Sequence, residues 1–185
     1  MNLSDTEYQK IEAFALEYYA GLDYLHATDH AERTVKIAEY LAKQEGADVK
    51  LVRLGALLHQ FHDHEEILID FLQSLGLDQP TIDVLVGFPL FRPYKNVEPN
   101  SIEEQVVFDA DAIQNMGVFG IIRSIVNYAP KHKDLAFATD KALDVQQKFF
   151  NILQTESAKQ LISQSQQRAK DFLEVFDKEF NGKYW

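Results

Sequence analysis

Apolar positions recur at helical spacing through most of the chain. Tyr8, Ile11, Ala15, Tyr18, Tyr19 and Leu22 follow a Ser4-Asp5-Thr6-Glu7 capping box, and Gly21 is the stop or loosening point. Thr34, Ile37, Ala38 and Leu41 form a second stripe behind Asp29-His30-Ala31-Glu32, which has the form of another box, and Gly46 closes it. Asp48 is placed to cap a third helix, whose Leu54–Leu58 run has no polar face and ends at His59. Ile67–Leu75 reads as a short amphipathic helix stopped by Gly76, and Pro80 suits the first turn of the next.

The segment Gly87–Asn100, with three prolines and two basic residues, has no period and is the natural lid or substrate rim. A capping box at Ser101–Glu104 then opens a stripe of Ile102, Val106, Ala110, Ile113, Gly117 and Ile121. Two more helices are expected after Asp134. The last opens near Thr155 and shows Ala158, Leu161, Ile162, Ser165, Ala169, Phe172, Phe176 and Phe180 on one face. No stretch alternates with period two, so the expected fold is all-α.

Composition narrows the function. A chain of 185 residues, 46% hydrophobic, can bury one sizeable core, and a single domain over 1–185 is the expectation. The formal net charge of -11 argues against a nucleic-acid groove or an anionic membrane surface as partner, while a small phosphorylated ligand needs only a few local cations. The absence of cysteine removes disulfides and thiolate metal sites. MNLSDTEYQK has neither the charged nor the apolar region of a leader, no run approaches the roughly 18 apolar residues of a membrane span, and the chain reads as cytoplasmic. With 13 Phe and 8 Tyr, the aromatic content is the material of a core rather than of a base-stacking platform.

Three predicted helices each carry an ionisable side chain on a stripe otherwise fit for the core: His30, His59 and Asp109. Buried groups of this kind need a hydrogen-bonding partner, a counter-charge or a metal. Two histidines and a carboxylate converging on one point would form an open, facial metal site. Asp111 lies about 200° further round the helix at 100° per residue, so a regular helix cannot turn both aspartates to one ion, and the stripe favours Asp109.

HATDHAERTVKIAEYLAKQEGADVKLVRLGALLHQ, FDADAIQNMGVFGIIR and the tail TESAKQLISQSQQRAKDFLEVFDKEF together resemble metal-dependent phosphohydrolases of the HD superfamily, in their small single-domain bacterial branch. The resemblance runs from about Tyr24 to Phe180 and implies an all-α HD-domain helical bundle. It implies His30, His59 and Asp109 as ligands of a divalent ion (Mn, Ni, Mg or Fe), His59 and Asp109 as catalytic residues, and Arg33 as a phosphate-holding residue. The position of the dyad aspartate is Gln60, and Ala112 and Gln114 stand where the branch carries an arginine and another aspartate. Gln60 replaces a charged donor by a neutral one, which weakens ion binding. Asp63, one turn beyond His59 if the helix continues, is the candidate to supply the missing carboxylate. Of the other cations, Arg92, Lys95 and Arg123 read as surface charge, as His132 does in its polar turn.

The implied function is hydrolysis of a nucleotide or other small phosphate ester, with activity impaired by Gln60. The competing reading is a catalytically silent HD fold that binds a small phosphorylated ligand or a partner protein. Assembly with further copies of the chain is compatible with either.

Overall fold

The structure is a computed structural model that describes residues 3–91 and 98–184. It is all-α: among the described residues there are helices and no strand. The chain divides into two compact units, 1–111 and 112–185.

In the first unit, α1 (Asp5–Ala20), α2 (Thr28–Glu45) and α3 (Val49–Leu58) precede a 3-10 turn at His59–Asp63. Then come α4 (Glu65–Ser74), α5 (Gln79–Gly87), a 3-10 turn at Phe88–Leu90, and α6 (Ile102–Ile113). Helix α3 is the centre: Val52 and every residue from Leu54 to Leu58 are buried, and α1, α2 and α5 pack around it. Gly55 makes one of these contacts possible. A Cβ there would lie 2.4 Å from the Phe88 ring, so only a bare backbone lets Phe88 close over the helix.

The polar side of α3 is used as well. Arg53 is ion-paired with Glu39 of α2 at 2.8 Å and with Glu12 of α1, and these hydrogen bonds hold its guanidinium above its ordinary pKa. Beyond the helix end, Phe61 stacks on Tyr18 and on Phe14, with centroids 4.0 and 5.4 Å apart, and Phe14 stacks on Phe71 at 3.8 Å. That ladder ties α1 and α4 to the turn that follows His59.

The helix starts are mostly those the sequence announces. Ser4 and Glu7 form a reciprocal capping box, Asp48 accepts from Lys50 and Leu51, and Ser101 and Glu104 cap each other. The start of α2 differs from expectation. Its cap is Ala27, with no side-chain hydrogen bond, and Asp29 lies inside the first turn, paired with Arg33 at 2.7 Å.

The second unit comprises α7 (Gly117–His132), α8 (Leu135–Ile152) and α9 (Glu156–Phe180), with Ile121, Ala142 and Ala169 in its core. The stripe expected to run unbroken to Ile121 is interrupted here. Gly117 has φ +65°, and the Gln146 side chain on α8 accepts from its N–H while donating to the carbonyls of Asn115 and Gly117. Gly120 then passes so close to Asn115 that a Cβ would fall 2.1 Å from its carbonyl carbon. No helix among the described residues is long and apolar enough to cross a membrane.

Candidate metal centre

His30 enters from the first turn of α2 and is fully buried. His59 enters from the first residue of the 3-10 turn after α3, where the change from α to 3-10 winding redirects the chain at the rim of the core. Their Nε2 atoms are 3.0 Å apart. Gln60, also buried, places its side-chain nitrogen 3.0 Å from His59 Nε2 and 3.2 Å from His30 Nε2. The sequence therefore located three members of the constellation.

The carboxylate of the group is Asp111, not Asp109. Asp111 Oδ1 is 3.5 Å from His30 Nε2 and 3.7 Å from His59 Nε2, and these three residues form a group of mutually close ligand atoms. Asp109 is wholly buried on the same helix and is not part of that group. The stripe argument identified the more buried aspartate correctly and drew the wrong consequence. A centre that admits solvent or substrate lies at the rim, and its carboxylate comes from the partly exposed edge of the helix, where Asp111 keeps 22% of its side-chain surface.

His59 is fixed from behind. Its Nδ1 lies 2.6 Å from the Ala56 carbonyl oxygen, which can only accept, so Nδ1 carries the proton and the Nε2 lone pair faces the group. The Tyr19 hydroxyl is 3.1 Å from the same Nδ1. Tyr19 is fully buried, and burial first, then the negative charge of Asp111, pushes its phenol well above the ordinary value. It is neutral throughout the working range. The sequence presented Tyr19 only as a core position; a buried tyrosine's need for a hydrogen-bonding partner was the available signal.

The remaining sequence candidates fall around this centre or away from it. Arg33 sits one turn along α2 from His30, partly exposed, with Asp29 on its guanidinium. Asp63 does not replace the missing carboxylate: its side chain is 68% exposed and 3.0 Å from His62. His26 bonds Asp23 and meets the His30 ring edge-on, and His64 bonds the Tyr18 hydroxyl at 2.8 Å. Arg123 lies in α7, exposed His132 packs on Phe137, and Arg92 and Lys95 lie in 92–97, the part of the expected rim segment outside the described residues.

The donor set fits a divalent ion. Bonds of about 2.1 Å put neighbouring ligand atoms about 3.0 Å apart in an octahedron and about 3.4 Å apart in a tetrahedron. The separations among the two imidazole nitrogens and the Asp111 oxygen, 3.0, 3.5 and 3.7 Å, are of this size. The two imidazole nitrogens, 3.0 Å apart, need a proton or a cation between their lone pairs. Two imidazoles and one carboxylate suit a borderline transition metal.

The HD-domain family model matches residues 28–116, the interval that contains His30, His59, Gln60 and both aspartates. With that match, residues 28–116 are an HD domain. Two curated relatives are similar to it. One is the tRNA (cytidine(56)-2'-O)-methyltransferase of Thermoplasma volcanium, 31% identical over 111 residues, which are 50% of this chain. The other is YpgQ of Bacillus subtilis, 26% identical over 115 residues, which are 55% of this chain. The aligned regions span 32% and 56% of those proteins. Among solved structures, YpgQ in complex with ADP superposes with a TM-score of 0.74 at 21% identity, covering 93% of this chain and 94% of that one. An HD-superfamily hydrolase from Bacillus thuringiensis gives 0.75 at 23% identity, covering 95% and 97%. At these identities the structures establish a shared fold.

Proposed function

We propose that the chain is a cytoplasmic, metal-dependent phosphohydrolase acting on a nucleotide or other small phosphate ester. The observation that carries this reading is the convergence of His30, His59 and Asp111 at a partly open rim. A bound divalent ion supplies a polarised phosphoryl oxygen and an acidified water. The protein's own part is to hold two imidazole lone pairs and one carboxylate in place, and burial of both histidines keeps bulk water from competing for them. His59 is held in the required tautomer by Ala56 and Tyr19.

Arg33 is the residue proposed to hold a phosphate oxygen. It shares a helix face with His30, and exchanging the exposed Asp29 carboxylate for a phosphate keeps a charge-assisted bond. The HD-domain match supports the reaction class, and the ADP complex of YpgQ supports a nucleotide as ligand.

One observation favours the silent module instead. Through Gln60 the site can hydrogen-bond its own histidines and do without an ion. Metal analysis of chelator-free protein, with a phosphate-release assay on ADP and on a chromogenic phosphate ester, separates the two. Stoichiometric metal with metal-dependent phosphate release is the expected result. Stoichiometric metal with no release on any phosphate ester would leave a binding module.

A further inference from the structure

Gln60 sets a problem that the rest of the centre does not. Its side chain is 9% exposed and faces two imidazoles that must present lone pairs to any ion. An amide nitrogen cannot coordinate through its own lone pair, which is delocalised into the carbonyl. Without an ion, the N–H bonds of that nitrogen are the right partner for His59 Nε2, already an acceptor because Nδ1 donates to Ala56. With an ion, the amide oxygen must face inward. The two arrangements differ by a half turn of the terminal torsion, which is soft and nearly two-fold, and they occupy nearly the same volume.

We propose that Gln60 is a reversible closure of this centre, nitrogen inward when metal-free and oxygen inward as a neutral ligand when loaded, and that it biases the centre toward nitrogen-preferring divalent ions over Mn²⁺ and Mg²⁺. The proposal rests on reading the site as a metal centre. The bias follows from charge. Two imidazoles, an amide and Asp111 carry one negative charge, where a carboxylate at position 60 would give two. Mg²⁺ depends on charged oxygen ligands, whereas Ni²⁺ and Zn²⁺ keep much of their affinity through imidazole.

The test compares the full chain with Gln60→Glu and Gln60→Leu. Each is stripped with chelator, then titrated with Ni²⁺, Mn²⁺ and Mg²⁺ by dye competition, with metal-free melting temperatures recorded. Gln60→Glu should tighten Mn²⁺ and Mg²⁺ about tenfold or more and Ni²⁺ by clearly less, so the selectivity narrows. Gln60→Leu should weaken Ni²⁺ and lower the melting temperature of the metal-free protein, having neither donor nor acceptor. If Gln60→Leu does not fold, the selectivity change in Gln60→Glu decides alone. An equal gain for all three ions, or none for any, overturns the role of Gln60. Absence of ion uptake in every variant overturns it together with the metal-centre reading. Selective uptake as expected but without hydrolysis supports it and removes only the proposed activity.

Discussion

Replacing Tyr19 with phenylalanine removes one oxygen atom and leaves the ring in place, in a side chain with no exposed surface. What is lost is the contact at 3.1 Å with His59 Nδ1 and a hydrogen bond with the Gln60 backbone; the Ala56 carbonyl, at 2.6 Å, still accepts the His59 proton. A neutral buried hydrogen bond is worth about 0.5–1.5 kcal/mol net, or about 1–6 °C in melting temperature at this chain length. The effect on the ion should be more specific. Groups that orient a metal-bound histidine are worth about 10–100-fold in affinity, and with Ala56 still in place the expected loss lies near tenfold, about 1.4 kcal/mol. Competition titration with Ni²⁺ measures it, and rescue of the melting temperature by saturating Ni²⁺ should be correspondingly smaller than in the parent. Tyr8→Phe is the control, since Tyr8 sits by Arg53, Glu12 and Glu39 on another part of α1 and should leave Ni²⁺ binding unchanged. Equal affinity in Tyr19→Phe and the parent would refute the orienting role.

Asp111→Asn should reduce metal content tenfold or more, while Asp109→Asn and Asp63→Ala should leave it within about twofold; metal analysis after dialysis reads all three, on the scale of about 1.4 kcal/mol per tenfold. Gly55→Ala drives a methyl into the Phe88 ring and should cost about 1–3 kcal/mol by overpacking, seen as a lower melting temperature. Adding Phe88→Leu should recover part of that loss, giving a favourable coupling in the double-mutant cycle. Burial pushes the Tyr8 phenol from 10.0 up to about 12, so the unfolded chain ionises first as the solution is made alkaline. Its contribution to stability is therefore complete below pH 10 and lost toward pH 12, and Tyr8→Phe should flatten that part of the stability–pH curve.

What the sequence disclosed about the fold was local chemistry. The boxes at Ser4 and Ser101 and the cap at Asp48 each satisfy N–H groups within three residues of themselves, and all three form. The misread places are those where a distant residue decides. The Ile102–Ile121 stripe is a good helical pattern, but its continuity is broken by a left-handed glycine and by Gln146, which lies 29 residues beyond that glycine. Asp29 has the right type for a cap, yet Arg33 at i+4 engages it inside the first turn and Ala27 is left to start the helix.

The site followed a similar division. His30, His59 and Gln60 were legible because spacing in a motif survives translation into space along α2 and α3. Which aspartate answers them was not, because periodicity reports burial, and burial ranks Asp109 above Asp111 although the rim is where the chemistry needs an oxygen. The same distinction bears on how such a chain would hold an anion. Its formal net charge of -11 repels phosphate at long range, a repulsion screened beyond about 8 Å at physiological ionic strength. Among the described residues, Arg33 carries a positive charge one turn from His30 and is engaged by Asp29. In the proposed reading, a bound ion would add to the attraction for a phosphate at this rim. A neutral residue at position 60 leaves more of the ion's charge uncompensated than a carboxylate would. If the proposed function holds, a glutamine at position 60 would weaken the hold on the metal and strengthen the loaded centre's pull on an anionic ligand.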